Sequence, residues 1–157
     1  MHLTRYLLIC IAAYATAASG FEVNGYHDGM SRDDVSKIAR KYANVRRTGP
    51  DTLLALTETG TYANFSFCKD RLVSIQQGHR ATFKQLSHLV ARFNALYGQP
   101  VHVQAVSTPQ QTGELNELDL WWKSGADYAK VSYIRGPTGD DLSTSHQTSN
   151  SCFKVPR

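Results

Sequence analysis

Past residue 20 this sequence has no apolar run able to cross a bilayer, which takes roughly 20 apolar residues. It has no C-x-x-C pair, no G-x-S-x-G elbow and no glycine-rich phosphate loop. Those absences remove the usual sequence signatures of a thiol redox centre, a serine hydrolase and a nucleotide site. An excess of one charge is missing too: 17 Lys and Arg face 13 Asp and Glu across 157 residues. That balance is mildly basic and far from the concentrated charge of a nucleic-acid binder, so no nucleic-acid partner is expected. His27, His79, His88, His102 and His146 are scattered. No two of them stand at helical i, i+4 spacing, and no Cys or carboxylate cluster completes a ligand set. Neither a metal nor another cofactor is therefore expected.

The first twenty residues are the most informative. Arg5 supplies a positive charge, Tyr6 to Tyr14 is almost unbroken apolar sequence, and Ala15-Thr16-Ala17-Ala18-Ser19-Gly20 supplies small residues. Charged, apolar and small segments in that order are the pattern of a secretory signal peptide over residues 1–20. The reading places the mature chain outside the cytoplasm: periplasmic in a Gram-negative bacterium, extracellular otherwise. Loss of Arg5 with the leader leaves 16 basic against 13 acidic residues, a net charge of +3. About 137 residues remain, enough for one domain with one core.

Cleavage also removes Cys10 and leaves Cys68 and Cys152. In an exported protein an even pair reads as a disulfide. Closing a loop of about 85 residues removes roughly 4 to 5 kcal/mol of unfolded-state entropy in the chain-entropy account. The bridge would tether residues 136–157, a segment dominated by Gly, Ser, Thr, Asp and Asn that reads as a polar C-terminal tail to a domain at 21–135.

Within that domain, Ser31 precedes Arg32-Asp33-Asp34-Val35 as a helix cap, and Met30 and Val35 sit at staple positions. Val35, Ile38, Ala39 and Tyr42 then repeat at helical spacing. Thr52 to Thr57 is a short apolar strand. Tyr62 to Phe67 and Leu72 to Gln76 flank a Lys69-Asp70-Arg71 turn as a hairpin. A second helix carries Phe83, Leu86, Leu89, Val90, Phe93, Leu96 and Tyr97 on one face and stops at Gly98 and Pro100. Val101 to Ala105 is a short extended piece and Thr108 to Asn116 a polar loop. Leu118 to Trp122 and Tyr128 to Ile134 make a last hairpin. The fold class predicted is α+β: two amphipathic helices on one face of an antiparallel sheet, in helix-hairpin-helix-hairpin order. The two halves look like a degenerate repeat.

The start signal Gly29-Met30-Ser31-Arg32-Asp33-Asp34-Val35 and the hairpin Phe65-Ser66-Phe67-Cys68-Lys69-Asp70-Arg71-Leu72-Val73-Ser74-Ile75 resemble those of SmpA/OmlA-type envelope domains and β-lactamase-inhibitor-like proteins. Tyr97-Gly98-Gln99-Pro100 before a Trp-bearing strand has a similar character. The resemblance implies a helix-plus-antiparallel-sheet fold. It also implies a non-enzymatic role, binding or inhibiting another exported or envelope protein.

Adjacent strand residues point to opposite sides of a sheet. Trp122 shares its side with Leu118 and Leu120, so Trp121 is the surface indole, and Tyr128 lies nearby as a second binding residue. Lys37, Arg40, Lys41, Arg46 and Arg47 are the one basic cluster, with Arg46 and Arg47 as candidate contacts for an acidic partner or anionic lipid. No residue is singled out as catalytic. Two further readings stand beside the binding module: a small secreted hydrolase with a cleft beneath Thr108 to Asn116, and a basic lipid-surface module.

Overall fold

The structure, a computed structural model, describes residues 20–41 and 43–152. Residues 1–19, which hold nearly all of the expected leader at 1–20, Tyr42 and residues 153–157 lie outside the described residues. A small hairpin, β1 (Glu22–Val23) and β2 (Tyr26–His27), precedes helix α1 (Arg32–Ala39). A four-strand meander follows: β3 (Asn44–Gly49), β4 (Thr52–Leu56), β5 (Tyr62–Cys68) and β6 (Arg71–His79). Helix α2 (Phe83–Tyr97) then leads into a second meander, β7 (His102–Gln110), β8 (Gly113–Ser124), β9 (Asp127–Gly136) and β10 (Gly139–Thr148). Strands β3 to β10 make one antiparallel sheet in the order β3-β4-β5-β6-β10-β9-β8-β7. Each meander contributes its last strand to the middle.

This overturns the predicted α+β helix-hairpin-helix-hairpin arrangement. The described chain is mostly strand, and each helix is followed by a four-strand meander instead of a hairpin preceded by one short extended piece. Three segments account for the difference. Asn44–Gly49 pairs with β4 through a turn at Pro50 and Asp51, although its arginines hide any apolar alternation. The supposed polar loop at Thr108 to Asn116 is the tip of the β7–β8 hairpin, ladder-paired from His102↔Trp121 to Gln110↔Gly113. It is polar because almost all of it faces water. The supposed tail contains β10, which lies between β6 and β9 in the centre of the sheet.

Local chemistry explains the well-read elements. Ser31 Oγ accepts from the Asp34 amide at 3.2 Å and donates to the Asp34 carboxylate at 2.7 Å, closing the first turn of α1. Thr82 caps α2 in the same way through the Gln85 amide, and Gly98 ends it at φ 81°. Lys69 and Asp70 both take positive φ (50° and 63°), the backbone of a tight primed hairpin turn. Gly78 has a different role. The Tyr62 ring lies across it on the way to Asp141, and a Cβ at Gly78 would sit 2.2 Å from the Tyr62 ring.

Both cores lie against one side of the sheet. Val35 and Ala39 of α1 pack with Phe21, Tyr26, Leu53, Phe65, Phe67 and Ile75 over the first meander. Leu86, Leu89 and Phe93 of α2 pack with Trp122, Ala129, Val131 and Leu142 over the second. The α2 face is narrower than its apolar pattern suggests, since Phe83 and Leu96 are 80% and 60% exposed. Trp122 is fully buried and edge-on to Phe93. Its indole N–H donates to Asn94 Oδ1 (3.1 Å) and to the Gly98 carbonyl (3.0 Å), tying the end of α2 to β8. Cys68 and Cys152 form a disulfide with Cα atoms 5.7 Å apart, joining the end of β5 to the segment after β10.

Two stability predictions follow from this packing. Trp122→Ala lowers unfolding free energy by about 3 to 5 kcal/mol, while Trp121→Ala changes it by less than about 1 kcal/mol; urea titrations compare them, and equal losses would contradict the assignment of faces. Replacing both Cys68 and Cys152 by Ala costs roughly 2 to 5 kcal/mol under oxidising conditions, and an unchanged urea midpoint would contradict a stabilising bridge.

Candidate functional site

The side of the sheet opposite the cores carries neither helix nor the β1–β2 hairpin among the described residues. Ladder register defines what it displays. One row crosses all eight strands: Arg46, Leu54, Asn64, Gln76, Ser145, Lys130, Trp121 and His102. The middle of the face carries Ser66, Ser74, Ser143, Ser145 and Ser132 on β5, β6, β10 and β9, of which Ser132 and Ser143 are buried, with Asp141 on the same face of β10. Gln76 Nε2 donates to Ser143 Oγ at 3.1 Å, so part of this floor is already hydrogen-bonded. The β8–β9 wing rises beside it with larger and charged side chains.

That wing brings Trp121 and Tyr128 together. Trp121 is directly opposite Lys130, and Tyr128 directly opposite Lys123, so the two aromatics are diagonal neighbours. Lys130 Nζ lies 5.0 Å from the Trp121 ring centroid and donates to Asp119 Oδ2 at 3.0 Å. Lys123 Nζ lies 5.6 Å from the Tyr128 ring centroid. Each cation–π contact contributes about 0.5 to 1 kcal/mol at such partly wetted sites. Asp119 is itself buried, and among the described residues its other oxygen has no hydrogen-bond partner and Lys130 is its one neutralising contact. Indole, ammonium and carboxylate therefore hold each other in place.

No family model, characterised protein or solved structure matches this chain.

The two arginines do not join this wing, or each other. Arg46 is exposed on the open face, but it lies on the edge strand β3, six strand spacings from Trp121. On a flat sheet that is roughly 29 Å. Arg47 points to the other side and closes the β3–β4 turn, donating to the carbonyls of Gly49 (2.9 Å) and Pro50 (2.7 Å). Adjacent strand residues cannot share a face, so the basic cluster is split by the pleat. Among the described residues, no group of three or more His, Cys, Asp or Glu side chains converges as a metal site, and no helix is long and apolar enough to cross a membrane.

Sequence reasoning missed the seam between the two cores. His146 on β10 contacts Phe93 (5.5 Å), Tyr97 (6.4 Å) and Phe21 (6.3 Å), touching elements of both halves. With His79, Thr144, Arg92 and Glu22 it lines a cleft of about 190 Å³. His79 Nε2 is 2.8 Å from Thr144 Oγ1 across the β6–β10 ladder. The only signal was two histidines at even spacing from Leu142 and Ile75, which a polar context obscures. Burial, with Arg92 adding to it, pushes the His146 pKa down to about 4. His79 moves the same way for the same reasons.

The consequence for stability has a definite sign. Free histidine titrates near 6.5, so between pH 6.5 and about 4 the unfolded chain binds the proton that folded His146 refuses. Stability is complete above that window and falls as pH drops through it, by about 3 kcal/mol for His146. Urea titrations across the window should show this slope, with a shallower one in His146→Phe, where His79 still contributes. An identical slope in the two proteins would contradict the seam assignment.

Proposed function

We propose that this is an exported, non-enzymatic binding protein that takes another exported or envelope protein on the open face of its sheet. The supporting observation is the β8–β9 wing, where Trp121 and Tyr128 stand on the uncovered face with Lys130 and Lys123 stacked over them. Trp and Tyr dominate the energetics of protein interfaces because each offers a large apolar area with few rotamers to freeze. Here their rotamers are restrained further by neighbouring cations. Directly beneath them, Trp122, Ala129 and Val131 are buried against α2, so the wing is rigidly backed and binding has little ordering cost to overcome.

The leader pattern and the Cys68–Cys152 bridge suit an oxidising compartment outside the cytoplasm. The resemblance to SmpA/OmlA-type domains and β-lactamase-inhibitor-like proteins points to the same kind of role. The serines between the wing and β5 offer a partner segment a polar floor across the centre, with the aromatic wing as its anchor. Tyr62 borders that floor, with its hydroxyl held 3.3 Å from the Asp141 carboxylate.

Immobilised oxidised protein should retain a defined partner from an envelope extract of its source. Trp121→Ala and Tyr128→Ala should each weaken retention about ten-fold or more, the loss of one interface anchor. Arg46→Ala, on the far edge, should leave it unchanged. Retention indifferent to both aromatic substitutions would place the contact elsewhere and contradict the proposal.

A further inference from the structure

The two edges of the sheet differ. Edge strand β3 is short and carries Arg46 and Arg47. Its ladder with β4 is irregular between Arg47 and Gly49. Charge, brevity and irregularity are three of the devices by which natural edges avoid pairing with other chains; proline is a fourth, and β7 carries it only near its end, at Pro109. Edge strand β7 has none of the three. It is 9 residues long, exposed throughout, regular along its pairing with β8 and free of Asp, Glu, Lys and Arg. Val101, Val103 and Val106 at this edge are 62%, 55% and 39% exposed.

The hydrogen-bonding pattern of that edge follows from its turn. Gln110↔Gly113 closes a two-residue loop, so it is a hydrogen-bonded pair, and alternate pairs back to His102↔Trp121 are hydrogen-bonded too. Their amides are used by β8. The N–H and C=O groups of Val103, Ala105 and Ser107 therefore point away from the sheet, unpaired by any strand among the described residues. Pro109 is next in this outward series and has no N–H, which ends the competent stretch there.

We infer that β7 pairs with β7 of a second copy of this chain, antiparallel and centred on Ala105. The three outward residues are self-complementary about that centre. Val103 of one copy lies opposite Ser107 of the other, and Ala105 opposite Ala105. Three N–H and three C=O groups from each copy are thereby matched, making six hydrogen bonds, while Pro109 falls outside the set. The side chains suit the same axis. On the side bearing the cores, Val103 and Ala105 continue an apolar strip from Leu118 and Leu120 to the edge, and two-fold pairing joins the strips of both copies. On the open face Val106 meets Gln104, and no like charges oppose each other within the strand pair. The contact is isologous, so it closes at two copies. It also sets two open faces side by side in one continuous sheet.

Sedimentation equilibrium of the oxidised protein over a wide concentration range tests this. The expected result is reversible conversion from monomer to a species of twice the mass. Ala105→Pro removes an outward N–H, while its ring also constrains the backbone at 104 and 105, and it should weaken association at least ten-fold. Val103→Lys, which installs the missing edge charge, should do the same and decides the matter if the proline variant fails to fold. A wild-type protein that stays monomeric would overturn the inference. So would open-ended assembly, or dimers that persist unchanged in the folded variants. None of these outcomes depends on Trp121, so failure here and failure of the open-face reading remain distinguishable.

Discussion

The β6–β10 ladder is the contact on which the rest of this molecule depends. Leu142 to Gln147 run antiparallel to His79 to Ser74 in six successive pairs. Among the described residues they are the only strand pairing between the two meanders. Without that ladder each half would be a four-stranded sheet with a freshly exposed edge, and neither half would have the other's core beside it. With it, the two cores meet under one continuous sheet, and the opposite face becomes a single surface eight strands wide. The Cys68–Cys152 bridge reinforces the same join, because it fastens the chain just past β10 to the end of β5 in the other half.

This central strand is also the most polar part of the sheet, and that explains both its chemistry and its concealment. A hydroxyl buried without a partner costs roughly 1 to 3 kcal/mol, so β10 survives at the centre because its side chains are small and partnered. Thr144 meets His79, Ser143 meets Gln76, and Thr148 donates to Asp127. Leu142, fully buried beneath α2, is its one large apolar residue. A sequence of serines, threonines and aspartates beside glycines carries the composition of a tail, and periodicity alone gives no sign that both its neighbours are strands. The polarity lost to apolar packing returns as a seam that resists protonation at His146.

The legible and illegible parts divide along physical lines. Helix caps at Ser31, the Gly98 stop and the Lys69-Asp70 turn were readable because each is decided by local backbone chemistry. The opposite orientations of Trp121 and Trp122 were readable because the pleat leaves no alternative. Apolar alternation failed for β3, for the outer part of the β7–β8 hairpin and for β10. Two of these are solvent-facing on both sides or nearly so, and the third is satisfied by hydrogen bonds. The same pleat that separated the tryptophans also divided Arg46 from Arg47, a consequence the charge pattern concealed.

The open face is useful for recognition only if the two halves are locked as one sheet, and residue-resolved amide hydrogen exchange measures that lock directly. Each amide from Leu142 to Gln147 lies between β6 and β9, so all six should exchange as slowly as those of Phe65, Ile75 and Val131 in the cores. Adding reductant should speed their exchange by no more than the global loss of stability. Exchange at the rate of an unstructured peptide, with the rest of the sheet still protected, would mean that this segment is a tethered tail and that no single eight-stranded face exists.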